Sequence, residues 1–249
     1  MKDLLGDRMK SQYENRTRFY LPRRTYTIIR CDGKCFSNLT KNMKKPFDEN
    51  FMKIMDAVAI YLCQKIMGTK LAFINSDEIS LLLTDFEKET TEAYFDSNIQ
   101  KMASITAGMT SAKFTQLFGE IAVFDSRVFT IPDPVEVQNY LIFRQADATR
   151  NAIQMVAQSL YSSKSLQGKG WNQLHEMISQ KGINFENDYN SHFKRGRVII
   201  KVSKEKNFIH PITKEQSTVI RNSWEIMSET PDFHQAQGFL KNIIPRIHQ

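Results

Sequence analysis

Much is missing from this 249-residue chain, and each absence narrows what it can be. No apolar run approaches the ~20 residues that a bilayer-spanning helix needs, and the opening stretch MKDLLGDRMKSQYENR has no apolar h-region, so neither a membrane span nor a secretory leader is expected. Cys31, Cys35 and Cys63 are too few and odd in number for a disulfide framework, and no histidine stands at metal-ligand spacing from them. The expected setting is a reducing cytoplasm. The five histidines are scattered, and there is no G-x-S-x-G elbow, no H-E-x-x-H, no Walker A and no Rossmann fingerprint. Linkers, internal repeats and low-complexity tracts are absent as well.

What remains is an ordinary globular composition, 41% hydrophobic and 24% charged, with 34 Lys and Arg against 27 Asp and Glu. The net charge of +7 favours polyanionic partners.

Periodicity gives the order of elements. Thr25–Cys31 is short, β-branched and aromatic and ends in Asp32-Gly33, which reads as a strand entering a turn. Asp48 is placed to cap a helix whose Phe51, Ile54, Met55, Val58, Leu62 and Ile66 recur at helical spacing until Gly68. Leu71–Ile74 and Ile79–Leu83, parted by Asn75-Ser76-Asp77-Glu78, read as a hairpin. A helix is expected from about Thr91 to Phe118, then a strand-like run Ile121–Phe124 leading into Asp125–Phe129. The order is β-α-β-β-α-β, an α+β sandwich of the ferredoxin-like kind, with the first and third strands antiparallel neighbours in mid-sheet. In the second half Asp133-Pro134-Val135-Glu136 supplies a cap, a proline at N1 and an acid at the capping-box position for a long helix to about Ser162. A loop Ser163–Gly170, a short helix from Trp171 to near Gly182 and a basic strand Arg197–Val202 with a possible partner Ser217–Trp224 follow. The expected division is a catalytic region over residues 1–132 and a helical and basic β lobe over 133–249, packed as one continuous unit.

That topology brings two acids together. Asp32 closes the first strand and Asp77 precedes the third, so both stand at one edge of the sheet, about 5 Å apart across the ladder. Two carboxylates at that separation repel by about 3 kcal/mol at an effective dielectric near 20, so the pair shares a proton or holds a cation. Oxygen ligands without a Cys/His cluster point to Mg²⁺, and a two-metal arrangement suits nucleotidyl transfer. Each motif alone reads more readily as an ordinary turn; their shared edge is what tips the reading to a site. Lys41, Lys44 and Lys45 follow in a loop able to reach a triphosphate or to remain solvated. Lys101 shares a helical face with Ser97 and Ser104, a pattern that also suits plain surface. Lys194, Arg195, Arg197, Lys201, Lys204 and Lys206, with Phe193 among them, form either a phosphate-backbone track or an exposed basic strand. Gly168-Lys169-Gly170 reads as a flexible turn.

Five segments in order, Arg30–Phe36, Lys45–Asp48, Ser76–Ser80, Phe124–Val128 and Arg144–Asp147, resemble the tRNA-histidine guanylyltransferase superfamily of 3′-to-5′ polymerases over roughly residues 5–205. The resemblance implies a polymerase-type palm, a homotetramer and Mg²⁺-dependent addition of nucleotides to the 5′ end of tRNA after activation of the 5′-phosphate by ATP or GTP. It implies Asp32 and Asp77 as metal-bridging carboxylates, Gly33 as a carbonyl ligand and Glu78 as an assisting group. It further implies a nucleotide and triphosphate pocket from Asp32, Gly33, Lys34, Cys35, Phe36 and Ser37 with Lys45, Asp48, Ser76 and Asp77, and Lys101 near the 5′-activation chemistry. Two departures stand out. The guanylyltransferase branch carries His-Ile-Asn-Asn where this chain has Thr149-Arg150-Asn151-Ala152, which points to the guanylyltransferase-like branch that repairs truncated tRNA 5′ ends against the opposing strand. A histidine frequent after the first Asp-Gly is absent, with Ser37 near that place. The expected function is therefore templated 5′-end repair, with addition of the extra 5′ G as the alternative; nucleotidyl cyclisation and plain RNA binding remain open.

Overall fold

The computed structural model describes residues 4–209 and 216–246. In chain order the elements are α1 (Leu4–Met9), β1 (Tyr26–Gly33), α2 (Phe36–Leu39), α3 (Glu49–Lys65), β2 (Thr69–Asn75), β3 (Glu78–Leu83), α4 (Ile99–Phe118) and β4 (Phe124–Ile131). Then come α5 (Pro134–Leu160), α6 (Ser163–Leu166), α7 (Trp171–Gln180), α8 (Phe185–Asp188), α9 (Ser191–Arg195), β5 (Arg197–Ile209), β6 (Gln216–Ile226) and α10 (Gln237–Ile243). The six strands form one antiparallel sheet in the order β4-β1-β3-β2-β5-β6. Helices on an antiparallel sheet make this an α+β fold, and β1 and β3 are antiparallel neighbours with Ile29 opposite Leu81.

Period-two alternation sorts the strands between two cores. Ile29, Cys31, Ala72, Ile74, Ile79 and Leu81 face Met55, Val58 and Leu62 of α3 and Phe114 of α4. Ile28, Leu71, Phe73 and Leu82 face Val137 and Leu141 of α5 and Leu240 of α10. The far half of α5 builds a third cluster from Ile153, Val156, Leu174, Ile178 and Phe185.

Several boundaries depart from the sequence reading, each for a local reason. Helix α4 starts at Ile99 rather than Thr91, because Asn98 caps it by accepting the Lys101 amide (3.0 Å) while the backbone of 97–99 bonds to Phe19 and Leu21. Strand β4 starts at Phe124, leaving Ile121 86% exposed, since the Ala122 amide turns to Thr115 and the Val123 carbonyl accepts from Lys34. Asp133 caps α5 through the Val135 amide (2.6 Å), but the Glu136 carboxylate takes Asn139 instead of closing a capping box. Ser162 caps α6, which puts a helical turn inside the expected loop. The basic strand and its partner do form, and β5 pairs with β2 through Leu71–Ile74, so the second half extends the first half's sheet. No helix among the described residues is long and apolar enough to cross a membrane.

Candidate active site

The site lies on the rim where β1 ends and the two-residue turn Ser76-Asp77 joins β2 to β3. Cys31 pairs with Ile79, so the next residue of β1, Asp32, arrives at the start of β3. Gly33 is required there: a Cβ would stand 2.6 Å from the Asp77 Oδ2 and 2.3 Å from the Phe36 ring. The Asp77 carboxylate thus rests against the backbone that follows Asp32. Burial first, and then the charge of Asp32, push the Asp77 carboxyl up to about 6. Asp32 has a cationic neighbour, Arg30, whose Nη2 donates to its Oδ2 at 2.7 Å. Asp125 stands opposite Asp32 across the β1/β4 ladder.

Glu78, one residue from Asp77, is spoken for. Both its oxygens accept from Arg144 of α5, at 2.8 and 2.7 Å, and Arg30 lies 3.2 Å from Oε2. Ser80 continues the same layer to the Tyr140 hydroxyl at 3.0 Å, and Arg144 reaches Asp147 at 2.6 Å. Glu78 therefore holds Arg30 and, through it, Asp32, with its carboxylate taken up by the two arginines.

A cleft opens beside the Ser76-Asp77 turn, between the start of α3, the middle of α5 and the α9–β5 corner. Asp48 and Ser76 line it with Phe47, Phe51, Asn75, Asn151, His192 and Arg197. Phe47 stacks on Phe193 at 4.6 Å, and Gly196 (φ +74°) lets the corner close against β2, where a Cβ would stand 2.5 Å from the Ile74 carbonyl. Asp48 accepts from the amides of Phe51 (2.9 Å) and Lys44 (3.2 Å), and those bonds hold its carboxyl below the usual range.

The rest of the expected set divides. Lys34, Cys35, Ser37 and Lys45 are exposed on the segment beyond Gly33, Ser37 within α2, and the Lys45 ammonium bonds the Thr40 carbonyl at 3.2 Å. Phe36 is core: its ring meets Phe114 at 5.2 Å and Phe124 at 4.8 Å. Lys101 is exposed but sits in the first turn of α4, whereas Phe114 of that helix is what touches Phe36; an offset of thirteen residues puts Lys101 about 20 Å along the axis from Phe114. Ser97, buried and ahead of the cap, shares no helical face with it. Among the basic residues, Lys194 is buried against Glu186 (3.0 Å) and Arg197 against Asp56 of α3, so neither belongs to a phosphate track. Arg195 is tied to Glu186 at 3.1 Å, and Lys201 is exposed. The side chain of Lys206 lies outside the described residues.

A family model described as Thg1: tRNAHis guanylyltransferase matches residues 6–132. The chain belongs to the Thg1 family. It is similar to a bacterial tRNA(His) guanylyltransferase (Thg1)-like protein solved in complex with ATP, at 36% identity over 98% of this chain and 100% of that one, with a TM-score of 0.85. A structure of a bacterial Thg1-like protein with GTP gives 37% identity, 97% and 99% coverage and a TM-score of 0.81. The probable tRNA(His) guanylyltransferase of Dictyostelium discoideum is 25% identical over 88% of this chain and 94% of its own. On this Thg1 fold the sequence reading placed Arg144 in a motif without giving it a role, and missed Tyr140, Asn75 and the Phe47–Phe193 stack. Arg144 had a signal: it stands between Leu141 and Ala148 on the core-facing stripe of α5, where a charge needs a buried partner.

The fit to divalent ions rests on the donors. Among the described residues no three His, Cys, Asp or Glu side chains are grouped to hold an ion. Mg²⁺ commonly takes one or two carboxylates with substrate phosphates, and Asp32 with the under-compensated Asp77, beside the Gly33 backbone, supply that oxygen set.

Proposed function

We propose that this protein is a nucleotidyltransferase that extends the 5′ end of tRNA in the 3′-to-5′ direction, adding guanylate. The observation that carries the proposal is the convergence of Asp32 and Asp77 on Gly33 beside a cleft lined by Asp48 and Ser76. The names of its relatives and their ATP and GTP complexes support it. In this reading Asp32, Asp77 and the Gly33 carbonyl hold two Mg²⁺, which when bound acidify a hydroxyl and neutralise phosphate charge. Arg30 keeps Asp32 turned to the rim. The exposed segment carrying Lys34, Cys35, Ser37 and Lys45 orients the triphosphate of the entering nucleotide, whose 3′-oxygen bonds to the activated 5′-phosphorus of the tRNA as the activating nucleotide leaves. Lys201, and Arg195 at the cost of its Glu186 pairing, contact tRNA phosphates. Lys101, far from this rim, serves the 5′ end only from another copy in a homotetramer. The cytoplasm remains the proposed location.

A second reading, templated repair of truncated 5′ ends, is favoured by Thr149-Arg150-Asn151-Ala152 and by the higher identity to bacterial Thg1-like proteins. One assay serves both: labelled NTPs with ATP, Mg²⁺ and tRNA either intact or lacking its first nucleotide, products resolved by size. Guanylate addition extends intact tRNA(His) with G alone, while repair extends only truncated tRNA with the nucleotide matching its opposing strand. A wild-type rate from Asp77→Ala contradicts both, and a cyclic product without RNA replaces them.

A further inference from the structure

The cleft beside the rim contains donors that neither reading uses. Arg197 opens β5 opposite Ile74 and is 4% exposed. Its Nε donates to Asp56, but its Nη2 is buried with no hydrogen-bond partner. Asn75 is 6% exposed, and its side chain makes no hydrogen bond to another described residue. Both line the cleft. Buried polar groups are almost always satisfied, so a guanidinium held in place at one nitrogen and unmatched at another is set for an acceptor arriving from outside.

Charge and shape restrict that acceptor. Asp56 already neutralises the guanidinium, so the site suits a neutral group over a phosphate. Phe47, Phe51, Met52 and Met155 supply apolar surface around the donors, with Asp48, Asn151 and His192 as polar points between them, a lining that suits a heteroaromatic ring with polar edges. Among nucleobases, guanine offers two acceptors side by side, O6 and N7, matched to an arginine fork; adenine sets an amino donor beside N7, cytosine presents an amino donor, and uracil offers a single carbonyl there.

We propose that this cleft takes the guanine of the nucleotide bound at the rim and that Arg197, aimed by Asp56, reads its O6 and N7 edge, making Arg197 a specificity-determining residue. The proposal rests on the reading that Asp32 and Asp77 hold that nucleotide's phosphates. Because the site selects guanine from the cleft floor, guanylate is preferred even without RNA.

The test is equilibrium binding to the full chain with Mg²⁺ and no RNA, using GTP, ITP, ATP, 7-deaza-GTP and 2-aminopurine riboside triphosphate. All share the triphosphate, so differences report the base. ITP, which keeps O6 and N7, binds like GTP; the other three bind about 10- to 100-fold more weakly. Arg197→Lys, which keeps a cation for Asp56 but loses the fork, brings GTP down to the affinity of ATP without changing ATP itself. If Arg197→Lys fails to fold, the analogue series on the unaltered protein decides. Equal binding of GTP and the analogues lacking O6 or N7, or discrimination that survives in a folded Arg197→Lys, overturns the assignment while transfer at Asp32 and Asp77 stands. Failure of every nucleotide to bind overturns both.

Discussion

Asp77 and Glu78 are consecutive acids with opposite surroundings. Among the described residues no cation is matched to Asp77 on the rim, and burial beside Asp32 raises its carboxyl to about 6. Glu78, one step behind, is gripped by Arg144 and approached by Arg30. Desolvation acts on both, but only Glu78 has its charge met within the chain. A carboxylate left under-compensated at a sheet edge weakens the empty protein and gains from a ligand that brings positive charge; a carboxylate sealed by arginines holds the scaffold in register. The layer behind therefore fixes Arg30, and the rim in front is where the proposed chemistry lies.

That contrast breaks if the two acids respond alike to substitution. Asp77→Ala or Asp32→Ala lowers transfer on the order of 10³-fold or more while the melting temperature holds or rises, read by single-turnover assays and thermal melts on the same preparations. Arg144→Met does the reverse in emphasis: it leaves Glu78 buried with only Arg30 beside one oxygen, so denaturant unfolding shows a loss of about 3 kcal/mol. Gly33→Ala sits between them. Its methyl group meets Phe36 and the Asp77 oxygen, so stability falls by about 1–3 kcal/mol and transfer falls further than that loss explains. The smallest effect is on pH. Since the folded carboxyl of Asp77 lies near 6 and an unfolded aspartate near 3.9, its stabilising share is full below about pH 4 and is lost as pH rises through about 6. Melts without divalent ions fall over that window, and Asp77→Asn flattens the fall.

Much of this arrangement was legible in the chain. β1, the β2–β3 hairpin and α3 follow from local period and from Asp48 as a cap, and the element order alone makes β1 and β3 neighbours, which is why the meeting of positions 32 and 77 at one edge could be reasoned out. What was not legible depends on distant partners. Arg197 looks like an exposed strand cation until Asp56, 141 residues away, takes its Nε; Lys194 looks the same until Glu186 folds over it. The pairing of β5 with β2 likewise joins segments with no shared local signal. Phe36 stands in a motif segment, yet its ring is claimed by Phe114 and Phe124, so a motif position does not say whether the side chain or the backbone is in use.

The central claim is that the acids at 32 and 77 grip shared divalent ions together with a nucleotide. Titration of Mn²⁺, standing in for Mg²⁺, into the full chain with saturating GTP and no RNA tests it most directly, with Asp32→Asn and Asp77→Asn as the variants. The account predicts that each substitution weakens the protein-dependent Mn²⁺ affinity by about 10-fold or more in a chain that still melts cooperatively. Unchanged Mn²⁺ affinity in both folded variants would contradict it.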